Sequence, residues 1–140
     1  MRPMKPLCLL ALMYAPTTWG CQCFGLSVEE QVEMAAHVFR ARVTSAEVVE
    51  SYPEGDGKVK ARFDVIATLK GTPETLDGVV TPLGAGACEI PIIVGLEYVF
   101  FVTADGEANS CGGTILRRRF EVGNSSEWFD FVRRYDIGPD

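Results

Sequence analysis

What the chain has little of narrows its chemistry first. Histidine occurs once, at His37, so no pair of imidazoles exists to hold a metal of the chain's own. Basic residues are outnumbered, 13 Lys and Arg against 19 Asp and Glu, for a formal charge of −6. That surplus of acid argues against a nucleic acid partner, because attraction to a phosphate backbone is electrostatic. Arg117, Arg118 and Arg119 form the basic cluster, and such a run reads as a solvated strand or turn. No segment is long and apolar enough for a membrane span, which takes about 20 residues. Internal repeats, low-complexity segments and a composition break that would mark a second domain are also missing.

What is present begins with a three-part pattern. Arg2 and Lys5 precede a brief apolar run, Leu7 to Ala15, followed by Pro16 to Gly20. This is the form of a secretory signal, and Thr18 and Gly20 suit the small positions before a cut after Gly20. Residues 1–20 are therefore expected to be a signal peptide and residues 21–140 one exported domain of about 120 residues. Without Arg2 and Lys5 the mature chain has 11 basic and 19 acidic residues, a net charge of −8. Cys8 leaves with the signal, and Cys21, Cys23, Cys88 and Cys111 remain. An even number of cysteines in an exported chain reads as two disulfides. Joining Cys21 to Cys23 would close a tiny strained ring. Either remaining pairing clamps the new N-terminus onto the domain at two adjacent points, each long loop contributing roughly 3–5 kcal/mol.

Ser27 and Glu30 form a capping-box pattern, and Val28, Val32 and Ala35 follow helical spacing, which predicts a short helix over 28–36. Phe39, Ala41 and Val43 alternate with Arg40, Arg42 and Thr44, the pattern of a half-buried strand. After the turn cluster of residues 51–57 a longer alternation sets Val59, Ala61, Phe63, Val65, Ala67 and Leu69 against Lys58, Lys60, Arg62 and Asp64. Residues 78–81 make a short third strand. Residues 97–103 form a continuous β-branched and aromatic run that should be buried on both sides, and a less regular strand follows near 114–122. Asn124 and Glu127 can cap a last helix whose apolar stripe is Trp128, Phe131, Val132 and Tyr135. Five short strands between helices predict a small closed or partly open barrel.

The cysteines and strand motifs together carry a resemblance. They are Cys21-Gln22-Cys23 at the mature start, residues 36–43 in the first strand, and Leu69-Lys70-Gly71 ending the second. Cys88 after a small-residue loop, residues 95–100 and Cys111 complete the set. In this order the chain resembles the netrin-like family, and within it the inhibitory domain of the tissue inhibitors of metalloproteinases, over nearly all of the mature chain. The resemblance implies a mainly β chain, a five-stranded OB-type barrel with flanking helices and two disulfides, Cys21 with Cys88 and Cys23 with Cys111. It implies that the α-amine and carbonyl of Cys21 chelate the catalytic zinc of a partner protease, with Gln22 entering the pocket beside the metal. Cys23 and Phe24 would complete the ridge, and Gly86 and Ala87 would pack alongside. No cofactor is implied.

The chemistry is reasonable on its own terms. A catalytic zinc keeps three protein ligands and one open position, and a neutral α-amine, with a pKa near 8, is a good nitrogen ligand. Two features depart from the family: Gln22 is long and polar where a small hydroxyl residue is usual, and a third disulfide is missing. Other readings remain beside this one. A cysteine at the cut is where a bacterial lipid anchor attaches, which would acylate the amine and place the chain on a surface or in the periplasm rather than free outside the cell. A netrin-like module can bind an extracellular protein without inhibiting anything. An enzyme is not expected, since bridged cysteines leave no thiol nucleophile for His37. Glu29, Glu30 and Glu33 read as the solvated side and first turn of a helix.

Overall fold

A computed structural model describes Cys23, residues 25–53, 55–84 and 88–116, and Arg134. Helix α1 spans Val28–Met34 and opens on the predicted capping box. Ser27 Oγ accepts from the Glu30 N–H at 3.2 Å, and the Glu30 carboxylate accepts from the Ser27 N–H at 2.7 Å. The helix stops short of residue 36 because Ala36 is drawn into the sheet, its N–H donating to Val102 O at 2.8 Å. Lys70 Nζ then serves the freed carbonyls of Val32 and Glu33, at 2.9 and 3.0 Å.

The strands are β1 (His37–Ser51), β2 (Gly57–Lys70), β3 (Val79–Leu83) and β4 (Glu97–Val102), with a two-residue β5 (Ile115–Leu116). Four strands of five or more residues form one antiparallel sheet in the order β3-β2-β1-β4, and β5 pairs along the outer edge of β4. The sheet is open, since its end strands do not pair with each other among the described residues. One isolated parallel bridge, Val80 to Glu107, ties β3 to the loop after β4. Its bonds run from Val80 N–H to Gly106 O at 2.9 Å and from Ala108 N–H to Val80 O at 2.8 Å. The mainly β expectation thus holds in its coarser form, and the closed five-stranded form is not established.

Two apolar clusters lie on opposite faces of the sheet. Phe39, Ala41, Val43, Tyr98, Phe100 and Val102 form the larger one, with Phe39 and Phe100 ring centroids 5.5 Å apart. Val28, Ala35, Val38, Val99 and Phe101 form the smaller one beneath α1. Strand β4 alternates between the two and so is buried on both sides, as its unbroken apolar run predicts. Two sequence expectations need correction. Arg40 shares a parity with exposed Arg42, yet it is 4% exposed, because its Nε reaches Glu97 at 3.5 Å beside Val38's face. Ala67 and Leu69 share a parity with Phe63 and Val65, yet they pack on the α1 side. The register steps from Ala41↔Val65 to Arg40↔Ala67, leaving Ile66 as an extra residue; such a bulge turns Ala67 and Leu69 to the other face, before a second step between Val38 and Phe39.

Of the strand expected near 114–122, Ile115 and Leu116 pair with β4, and the rest of it, with Arg117 to Arg119 and the C-terminal helix expected to carry Trp128, Phe131, Val132 and Tyr135, lies outside the described residues. Within that last stretch Arg134 is described, its Nη1 3.7 Å from Glu29 Oε1. No helix among the described residues is long and apolar enough to cross a membrane.

Candidate functional site

Three of the four cysteines that follow residue 20 converge at one end of the sheet. Cys23 lies just before α1, exposed, and is disulfide-bonded to Cys111 across 88 residues, with Cα atoms 5.0 Å apart. Cys111 sits in a single turn of 3-10 helix, Ser110–Gly112, which Asn109 starts by accepting the Gly112 N–H at 2.8 Å on its side-chain oxygen. Gly113 ends the turn at φ 104°, and a Cβ there would come within 2.6 Å of the Gln31 side-chain oxygen. Both the backbone angle and the close approach therefore call for glycine.

Cys88 is brought to the same place from the other side. Its carbonyl accepts from the Ser110 N–H at 3.1 Å, and its Sγ lies 3.5 Å from Cys111 Sγ. The chain on either side of residues 85–87 is drawn together by Glu89, whose carboxylate accepts from the Gly84 N–H at 3.3 Å. Beyond Cys88, Ile90 plugs into the larger cluster. Tyr98 Oη then donates to Pro91 O at 2.6 Å and accepts from the Ile93 N–H at 2.9 Å. Burial pushes the Tyr98 phenol above its ordinary pKa, so it stays a neutral donor and acceptor. The segment from Cys88 to β4 is thus held at its start by a turn and in its middle by a core tyrosine.

Beneath the disulfide is a cavity of about 370 Å³ with walls from Leu26, Met34, Ala35, Phe101, Cys88 and Cys111. Gln31 also faces it, and the Gln31 Oε1 is buried without a hydrogen-bond partner among the described residues. The walls are chiefly apolar, so this space fits a packed side chain better than a charged ligand. Among the described residues no cluster of His, Cys, Asp and Glu could hold a metal.

Of the sequence-derived site, Cys23, Cys88 and Cys111 are brought together, while Cys21, Gln22, Phe24, Gly86 and Ala87 lie outside the described residues. The Cys23–Cys111 pairing that the resemblance implies is the disulfide present; its companion would involve Cys21. His37, at the start of β1, accepts the Thr72 N–H on its Nδ1 at 3.1 Å. Glu29, Glu30 and Glu33 lie on or beside the first turns of α1, with Glu30 spent on the cap.

No family model matches the chain, and no curated protein matches its sequence. The likeness to the netrin-like family rests on the cysteine pattern and strand motifs alone. Asn109, Glu89 and Tyr98 went unread in the sequence. For Asn109 the signal was present: an Asx residue two before a cysteine and followed by Gly112-Gly113 is a turn former with a left-handed stop. Nothing in the sequence marks Tyr98 out from its apolar neighbours.

Proposed function

We propose that the mature chain is an exported inhibitor of zinc metalloproteases, acting in trans through the α-amine and carbonyl oxygen of Cys21. In this reading residues 1–20 are removed, Cys21 pairs with Cys88, and the sheet belongs to a five-stranded OB-type barrel. The observation that carries the reading is the Cys23–Cys111 disulfide. It anchors the second residue after Cys21 at an exposed position, beside a turn that also holds Cys88. A terminus tethered there would stand at the surface with few conformations to lose on docking, which would conserve affinity.

The amine and carbonyl of one residue form a five-membered chelate ring on a metal whose fourth position holds only water. Gln22 would extend into the protease pocket beside the metal, and its length would select against narrow pockets. Cys23 and Phe24 would continue the ridge, with Gly86 and Ala87 alongside. In this reading the chain needs no metal or cofactor of its own.

The test compares the mature protein beginning at Cys21 with a form extended by a single alanine, against a set of purified zinc endopeptidases. The native terminus should inhibit and the extended one should not, because acylating the nitrogen delocalises its lone pair into an amide that no longer binds the metal. Equal inhibition by both forms would reject chelation. Protease binding that leaves activity untouched would instead favour the non-inhibitory netrin-like binding module.

A further inference from the structure

Of the three sulfurs that meet at the end of the sheet, two belong to the body of the fold. Cys88 and Cys111 are held by contacts that do not pass through residues 23–27. The Cys88 carbonyl accepts from the Ser110 N–H at 3.1 Å, and Ile90, two residues on, is buried in the larger cluster. Asn109 and Gly113 fix the turn around Cys111, and Thr114 Oγ1 accepts the Phe101 N–H of β4 at 2.9 Å. Cys23 differs. It lies before α1 at an exposed position, and its bond to Cys111 ties it to the body.

Cys88 Sγ stands 3.5 Å from Cys111 Sγ. Both residues border the cavity of about 370 Å³ beneath the bridge, which leaves room for a sulfur to shift. Thiol–disulfide exchange proceeds by attack of a thiolate on a disulfide sulfur. A thiolate released on either Cys88 or Cys111 therefore forms beside the other residue's bridge, at a high effective concentration.

We propose that a dithiol reductant releases the whole N-terminus through one two-electron reduction, leaving Cys88 bonded to Cys111. The switch rests on the Cys21–Cys88 pairing of the reading above and regulates that same site. One thiolate of the reductant attacks the exposed Cys23 sulfur, forming a mixed disulfide and expelling the Cys111 thiolate. The reductant's second thiol then closes its own disulfide and leaves Cys23 as a thiol. The Cys111 thiolate attacks Cys88 Sγ, the Cys88–Cys111 bond forms, and the Cys21 sulfur departs and takes up a proton. Opening the Cys88 bridge first ends in the same place, because the Cys88 thiolate attacks Cys111 and expels Cys23. In sum the dithiol gives up two electrons and two protons, and the chain gains two thiols while keeping one bridge. The new bridge spans a sequence separation of 23 in place of 88, which costs less chain entropy to close. It also returns conformational freedom to residues 21–26. Cys21 keeps its amine but loses its tether.

The test treats the chain of residues 21–140 with one equivalent of dithiothreitol, quenches with acid, alkylates with N-ethylmaleimide and maps the bridges without further reduction. The singly bridged product should carry Cys88–Cys111 with Cys21 and Cys23 alkylated, at least about tenfold over products that keep an original bridge. Its inhibition of a zinc endopeptidase should be at least about tenfold weaker than that of the untreated chain. Amide exchange at residues 38–43 and 97–102 should stay unchanged. Predominance of an original bridge, or a mixture of untouched and fully reduced chains, would overturn the switch. Exchange that leaves inhibition unchanged would do so too, as would lost protection in the two strands, the mark of unfolding. The untreated map keeps the two readings apart. If it lacks Cys21–Cys88 both fall, whereas two original bridges without exchange remove the switch alone.

Discussion

The two halves of β1 are one continuous strand under different physics. From Val38 to Val43 every residue but Arg42 is buried, between an aromatic cluster on one face and α1 on the other. From Thr44 to Glu50 the strand has lost both layers and one of its flanking strands, and it stays in place by pairing with β2. The inner half is specified by what it packs against. The outer half is specified only by register, with bulges at Val43/Ser45 and Val48/Glu50. Rigidity is thus concentrated at the end that carries the cysteines, and adaptability at the end that does not.

The sharpest way to break this comparison is to truncate matched apolar residues in the two regions. Phe100→Ala removes a fully buried ring packed on Phe39, Phe63 and Tyr98 and should cost about 3–5 kcal/mol in denaturant unfolding. Val48→Ala on the exposed half should stay within about 0.5 kcal/mol. Similar costs for the two would mean that the outer half is packed after all.

Next in size is the staple at the inner end. Replacing Cys23 and Cys111 together by serine should lower stability by about 2–5 kcal/mol. Amide exchange should quicken at residues 25–35 and 109–114 while the hairpin of residues 44–62 keeps its protection pattern. A smaller effect isolates the anchor of the segment after Cys88. Tyr98→Phe keeps the ring and strands Pro91 O and the Ile93 N–H, and should cost about 1–3 kcal/mol, with loosening read by exchange at residues 88–95.

These expectations also show which parts of the molecule were legible in advance. The capping box of Ser27 and Glu30 was readable because both partners lie within one turn. The burial of β4 was readable because an unbroken run of Tyr98 to Val102 admits no polar face. The reversal at Ile66 was not, because a bulge is a property of how β1 and β2 pair, and the alternation in β2 runs through it unbroken. Arg40 was misplaced for a similar reason: its partner Glu97 is distant in sequence and meets it only once β1 and β4 are in register. At the candidate site the cysteines announced themselves, whereas the parts that position them, Asn109, Glu89 and Tyr98, act through backbone groups that sequence does not display.

The smallest effect is a pH dependence that again differs by region. Hydrogen bonds from the Ser27 backbone and then its hydroxyl hold Glu30 below the ordinary carboxylate range, while Lys60's hydrogen bond and Arg62's charge do the same for Asp77 on the outer side. A depressed folded-state pKa means that each contribution is complete above the unfolded value, near pH 4, and is lost as pH falls through the lower folded values. Thermal melts of the parent between pH 5 and 2 should decline on the acid side. Glu30→Gln should flatten the part of that decline reported by α1, and Asp77→Asn the part reported by the hairpin. An unchanged slope in both variants would remove these two carboxylates from the acid transition.

The account turns on whether the chain is exported and then begins at Cys21 with a free nitrogen held by sulfur bridges. Intact-mass measurement with non-reducing peptide mapping of the secreted protein decides it. The account predicts a chain of residues 21–140 four hydrogens lighter than the reduced form, unmodified at its α-amine, with peptides linking Cys23 to Cys111 and Cys21 to Cys88. A lipidated or acylated Cys21, a terminus at another residue, or a Cys21 left as a thiol would contradict it.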